Sequence, residues 1–248
     1  EFRRVLFRSV DLVVCCGGDG TFNETLAGIL EAGLNTPIGY IPAGSTNDFA
    51  SSLKLSSDIL EATQDIILGT PVAYDAGKFG ERYFSYVASF GAFTRTSYAT
   101  PQGIKNALGH TAYVLEGIQE LSQIRKEHIK MIIDGEEVED DFLFGAICNS
   151  TSVGGILTLD PEVVDLQDNK LEILLVRAPK NLAEIHECIV ALNTQKYNCA
   201  MLTFRSATHI RIFADPEMPW TLDGEREEGH SEVVVTPQHL AYRLMKRQ

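Results

Sequence analysis

The chain has 248 residues, 44% of them hydrophobic, and its 21 lysines and arginines stand against 34 aspartates and glutamates, a formal net charge of −13. That is enough apolar chain for one large or two modest packed domains, and the acidic balance excludes nucleic acid as a partner and electrostatic docking on an anionic bilayer. The five cysteines show neither a disulfide framework nor metal-ligand spacing, which suits a reducing cytoplasm, and no apolar run is long enough to span a membrane.

The opening EFRRVLFRS is basic, too short and too charged for a signal peptide, and reads as foreign to the fold that follows. Residues 12–16, LVVCC, have the pattern of a buried strand. Phe22, Leu26, Ile29 and Leu30 then recur at i, i+4, i+7 and i+8, one face of a helix. Between them GGDGT (17–21) turns strand into helix, with Thr21 and Glu24 at capping-box spacing. Bare glycine amides before a helix start favour an anion. Asp19 is then out of place as a phosphate contact, and a carboxylate beside phosphates serves a metal ion or a proton.

The motif repeats in outline. PIGYI (37–41) predicts a second strand, PAGSTND its loop, and a helix follows from about Asn47. Strands alternating with helices predict a parallel sheet, and both loops fall at its carboxyl edge, where one crevice would form. Together they offer the hydroxyls of Thr21, Ser45 and Thr46 and the carboxylates of Asp19 and Asp48, a set suited to a nucleotide with Mg²⁺. A GxxxxGK[ST] loop is absent.

Beyond Thr70 the pattern changes. Val72–Lys78 and Arg82–Phe90 predict two strands around a Gly80-Glu81 turn, and Lys105–Arg125 predicts a helix. Strands at 128–133 and 141–149 flank an Asp134-Gly135 turn; further strands are expected at 171–177, 203–213, 219–222 and 232–236, with a helix at 181–193. This half is rich in hairpins and predicts a mainly antiparallel β domain. His110, His186 and His209 have no ligand spacing, and the acidic run 136–141 reads as a solvated hairpin. LDGE (222–225) alone is an ordinary Asp-Gly turn, as DGE at 134–136 is.

Taken in order, GGDGT with NE at 23–24, GSTNDFA at 44–50, YDAGKFGERYF at 74–84 and LDGE at 222–225 resemble the diacylglycerol kinase catalytic family of bacterial lipid kinases, related to sphingosine and ceramide kinases. The resemblance runs from about Asp11 to the C-terminus. It implies an α/β nucleotide-binding domain over 10–70, with a C-terminal return at about 237–248, followed by a β-sandwich lipid-substrate domain over 71–236. It implies ATP as phosphoryl donor and Mg²⁺ as cofactor, a lipid alcohol such as diacylglycerol as acceptor, and transient contact with a membrane surface; a homodimer is left open. Gly18, Asp19, Gly20, Thr21, Phe22, Asn23 and Glu24 match the ATP-phosphate loop, joined by Ser45 (usually threonine in the family) and Thr46. Asp19, Asp48 and Asp75 match aspartates tied together through water and Mg²⁺. Asp223 and Glu225 match the pair assigned to proton abstraction. Asp165, Asp168 and Lys170 match a separate structural metal site, although this chain reads DLQDNK where many relatives have Asp-Gly.

Residues 1–9 do not match the β-α-β segment and Asn-Pro phosphate loop that the family carries before GGDGT, so the expectation is a truncated α/β domain that binds ATP poorly. NAD kinase shares GGDGT but is opposed by GSTNDFA and LDGE. The remaining rival is a non-catalytic nucleotide- or lipid-binding fragment.

Overall fold

The computed structural model describes residues 10–45, 47–91, 125–153, 157–159, 164–195, 197 and 199–247. Thr46, His110 and nearly all of the helix expected at 105–125 lie outside the described residues.

Strand β1 (Val13–Gly17) runs parallel to β2 (Ile38–Pro42), with Val13 opposite Ile38 and Gly17 opposite Pro42. Helix α1 (Asp19–Glu31) connects them and buries Phe22, Leu26 and Ile29, the expected apolar stripe. Its start differs from expectation. Gly18 is the N-cap, no side chain caps this end, and Thr21 lies inside the first turn, where its carbonyl accepts the Thr25 hydroxyl. Asp19, the first helical residue, sends its carboxylate elsewhere.

Helix α2 is a single short element, Asp48–Ser52, and α3 (Ile59–Leu68) was not anticipated. Asp58 caps α3 by accepting from the amides of Leu60 and Glu61 at 2.9 and 3.0 Å. The helix then packs so closely that a Cβ on Gly39 would lie 2.8 Å from Ile66 Cγ2. Asp58→Ala is expected to cost about 1 kcal/mol, the usual worth of an N-cap, seen as a lower urea midpoint with an unchanged m-value.

Next come β3 (Thr70–Phe79), β4 (Arg82–Phe84) and β5 (Val87–Gly91). The strand expected from 82 to 90 is thus two strands broken at Ser85-Tyr86. β6 (Glu127–Ile133) and β7 (Glu136–Cys148) form a hairpin, and β8 (Ser152–Val153) pairs with β9 (Leu157–Thr158). β10 (Leu171–Arg177) lies between β7 and β11 (Leu202–Ala207), with α4 (Leu182–Asn193) in the connection. β12 (Ile210–Phe213), β13 (Trp220–Leu222), β14 (Glu225–Glu227) and β15 (Glu232–Lys246) complete the chain.

The result is an α/β layer followed by a mainly antiparallel β sandwich. The ribbon of β3 and β15 runs through both. Its early part pairs Val235 with Phe79 beside β12; its later part pairs Lys246 with Thr70, and Leu244 meets Ile38 of β2 in parallel. An irregularity between Gln238 and Tyr242 separates the two parts. The β-rich half has its own core around Phe79, Phe84, Phe90 and Trp220, while Phe22, Phe49, Tyr86, Phe144 and Tyr242 belong to a second core spanning α1, α2 and the ribbon. The five cysteines are free. Among the described residues no helix is long and apolar enough to cross a membrane.

Candidate active site

The two glycine loops meet back to back. Ala43 donates its amide to the Gly17 carbonyl at 2.8 Å, and a Cβ on Gly44 would stand 2.5 Å from the Gly18 Cα. Asn47, left-handed at φ 53°, closes the second loop on itself: its Oδ1 accepts the Gly44 amide at 2.8 Å and its Nδ2 donates to the Gly44 carbonyl at 2.9 Å. Asp19 ties the loops together. Its Oδ2 and Oδ1 accept the amides of Asp48 and Phe49 at 3.1 and 3.2 Å. The carboxylate that looked misplaced for phosphate binding therefore anchors the start of α2 to the start of α1.

Around this contact Thr21, Glu24 and Ser45 are exposed, Gly18 and Gly20 half-buried, and Asp48 buried. Phe22 points the other way. Its ring is fully buried, 4.7 Å from the centroids of both Tyr40 and Phe49, so only its backbone remains for a ligand.

The LDGE turn arrives from the far half of the chain. Asp223 and Gly224 both have positive φ, 49° and 86°, the geometry of a tight two-residue hairpin turn. Glu225 is exposed, and its Oε1 would lie 3.1 Å from a Cβ on Gly20. This places a carboxylate directly over the first turn of α1. Asp223 instead is buried, 3% exposed. Its Oδ2 accepts the Ser85 amide and hydroxyl at 2.5 and 2.8 Å, and its Oδ1 accepts the amides of Tyr86 and Val87 at 3.0 and 2.9 Å. These bonds explain the broken strand: the amides that would have continued a ladder turn to Asp223. Burial pushes the Asp223 carboxyl up to about 6 against the pull of those donors, so at neutral pH it remains an acceptor. With its amide nitrogen turned inward, Asn23 of α1 donates to Asp223 Oδ2 and to the Tyr83 carbonyl, each at 3.3 Å. Asn23, expected at the phosphates, thus joins α1 to the β-rich half.

Asp75 is fully buried, with both oxygens taken. Oδ1 accepts the Leu240 amide at 2.6 Å and faces His239 Nδ1 at 3.0 Å, and Oδ2 accepts the Asn169 amide at 2.6 Å. It fastens the irregular stretch of β15 to the 165–170 loop. In that loop Asp165 accepts the Gln167 amide and Asp168 the Lys170 amide, both at 3.0 Å, while Lys170 Nζ lies 3.7 Å from Asp168 Oδ2. Among the described residues no group of three or more His, Cys, Asp or Glu side chains has metal-binding geometry. The carboxylates of Asp19, Asp75 and Asp223 are each engaged by N–H donors, so these three do not fit direct ligation of a cation, and one held beside them would be met through its waters.

Sequence reasoning passed over three residues. Asn149 donates to the Asp75 carbonyl at 2.6 Å. His239 sits beside Asp75. Glu172 is buried beside the 165–170 loop, and its carboxyl is pushed up to about 8 by burial and by the nearby Asp168. Only Glu172 left a signal, a charged residue set within the apolar run of β10 between Leu171 and Ile173.

Comparison with known proteins gives a consistent picture. Residues 1–79 match the family model of the diacylglycerol kinase catalytic domain, and residues 87–243 match the YegS C-terminal NAD kinase beta sandwich-like domain. The diacylglycerol kinase of Staphylococcus carnosus is 32% identical over 226 residues, which are 91% of this chain and 73% of that protein. The diacylglycerol kinase of Bacillus subtilis is 31% identical over 225 residues, 90% of this chain and 74% of that protein. In fold, the chain is similar to the crystal structure of a diacylglycerol kinase from Bacillus anthracis, with a TM-score of 0.74 at 19% identity over 99% of this chain and 80% of that chain.

Proposed function

Because the chain belongs to the diacylglycerol kinase family, we propose that it is a Mg²⁺-dependent lipid kinase that moves the γ-phosphoryl group of ATP to the hydroxyl of a diacylglycerol-like alcohol. The observation that carries this reading is the Glu225 carboxylate standing over Gly20. A group able to take a proton is thereby brought to the loop best suited to hold phosphate, by a motif some 200 residues away in sequence.

Phosphoryl transfer needs little covalent chemistry from the protein; positioning and charge neutralisation do most of the work. The half-buried glycines Gly18 and Gly20, the exposed Thr21 and Ser45, and the uncapped amides of α1 supply donors for phosphate oxygens. Bound Mg²⁺ neutralises phosphate charge, and Asp19 and Asp48 are the residues that would hold its waters. Asp19 also keeps the two loops in contact. A net charge of −13 leaves apolar contact as the means of reaching a bilayer-borne substrate.

The test is the whole chain with Mg-ATP and a panel of lipid alcohols in mixed micelles, following labelled γ-phosphate, with NAD in a parallel reaction. Label is expected in diacylglycerol or a close relative and absent from NAD. Label in NAD alone would sink the proposal.

A further inference from the structure

The chain contains the tripeptide DGE twice, and both copies are built alike. In the β6–β7 turn Asp134 and Gly135 have φ 47° and 91°; in the β13–β14 turn Asp223 and Gly224 have 49° and 86°. Asp134 donates its own amide to the His209 carbonyl at 2.9 Å; Asp223 donates its own to the Val87 carbonyl at 2.8 Å. The Asp134 carboxylate accepts from the Thr208 amide, the Thr208 hydroxyl and the His209 amide at 3.2, 3.0 and 2.8 Å. The Asp223 carboxylate accepts from the Ser85 amide, the Ser85 hydroxyl and the next two amides. Each aspartate thus holds a two-residue break between consecutive strands, Thr208-His209 between β11 and β12 and Ser85-Tyr86 between β4 and β5. Each break opens on a hydroxyl residue.

The first copy lies at the tip of a hairpin, with Glu136 in an ion pair with Arg205. There the device is plainly architectural. The second copy has the same bonds in a buried setting, with Asn23 of α1 added. A carboxylate offers about four lone-pair positions, and at Asp223 they are filled by protein donors. A base must be within hydrogen-bond reach of the proton it takes, and Asp223 has no acceptor position left to offer.

Resting on the lipid-kinase reading, in which Glu225 takes the proton, we infer that Asp223 is a positioning residue: it clamps Ser85–Val87 and α1 together and so fixes the turn that carries Glu225 over the phosphate loop. In the step, the alcohol oxygen forms a bond to the γ-phosphorus as its O–H proton passes to the Glu225 carboxylate. The bond from the γ-phosphorus to the bridging oxygen breaks, ADP leaves with that electron pair, and the protonated Glu225 returns its proton to solvent.

Three variants of the full chain test this by hydrogen exchange and by kinetics with and without added formate. Asp223→Asn is expected to speed amide exchange at Ser85, Tyr86 and Val87 at least tenfold. It should raise KM for ATP and lower kcat, with no recovery on formate. Glu225→Ala is expected to leave those amides as in the parent chain, lower kcat about 10²- to 10⁴-fold and recover at least tenfold with formate, because its site is open to solvent. Asp134→Asn should speed exchange at Thr208 and His209 and leave kinetics unchanged. The inference is overturned if Asp223→Asn loses kcat with exchange at 85–87 unaltered, or if Glu225→Ala keeps near-parental kcat. Should Asp223→Asn fail to fold, the formate response of Glu225→Ala decides. Should the parent chain phosphorylate no lipid, the functional reading falls by itself, and the exchange data still decide the clamp.

Discussion

Asp75→Ala is expected to lower the stability of the chain by about 1–3 kcal/mol, the range for taking the acceptor away from hydrogen-bond donors that pair with a buried carboxylate. The carboxylate is fully buried and accepts the Leu240 and Asn169 amides at 2.6 Å. Alanine takes the acceptor from both amides, which belong to an exposed and a half-buried residue, so water makes good part of the loss. Leu240 adds to the loss, since it is held at φ 47°, a conformation that L-residues with side chains adopt only when their surroundings impose it. Asp75 joins the irregular stretch of β15 to the 165–170 loop through these two bonds. Asp75→Asn retains one acceptor oxygen and should lose about half as much. Urea unfolding of both variants measures the difference, and amide exchange at Asn169 and Leu240 locates it. Alanine losing less than 1 kcal/mol would show that the ribbon is held by the pairing on either side of Gln238–Tyr242.

The contrast between Asp75 and the glycine loops shows what the sequence could convey. The loops were legible because local rules govern them: a buried strand, glycines, then an apolar stripe at helical spacing can form only a strand-to-helix turn. The LDGE turn was legible as a turn for the same reason. The roles of the aspartates were not, because each is decided by donors far along the chain. Asp223 takes its bonds from residues 136 to 138 positions away, and Asp75 from residues 94 and 165 positions away. Strand alternation at 82–90 likewise could not reveal that a distant carboxylate claims three of its amides. Helix α3 escaped notice for a different reason. Ile59, Leu60, Ile67 and Leu68 are exposed and only Ala62 and Ile66 are buried, so most of its apolar side chains do not mark the face that packs. The Asp58–Glu61 spacing was the available signal. At α1 the same kind of signal misled, because Thr21 and Glu24 have capping-box spacing but the helix had already begun at Asp19, whose carboxylate reaches to α2.

Gly44→Ala is expected to reduce kcat/KM for ATP about 100-fold while leaving the fold in place. An alanine Cβ there would stand 2.5 Å from the Gly18 Cα and 2.8 Å from Asn47 Oδ1, where carbon atoms in contact normally stand about 3.5–4.0 Å apart. The loops must therefore separate by about 1 Å, and a displacement of that size at a reacting centre typically costs about 10²-fold. The separation also pulls on the Asp19 bonds to Asp48 and Phe49, already at 3.1 and 3.2 Å. The cost in stability should be smaller, about 1–3 kcal/mol for a forced backbone shift. Gly33→Ala supplies the opposite pattern. Gly33 has φ 63°, and a Cβ added there would meet nothing within 4 Å, so alanine strains the end of α1 by about 1 kcal/mol and should leave ATP kinetics untouched. Measuring kcat/KM for ATP together with the urea midpoint for both variants separates the two effects. If Gly44→Ala kept parental kinetics, the contact between the two glycine loops would have no part in holding ATP, and the crevice between them would cease to be the site.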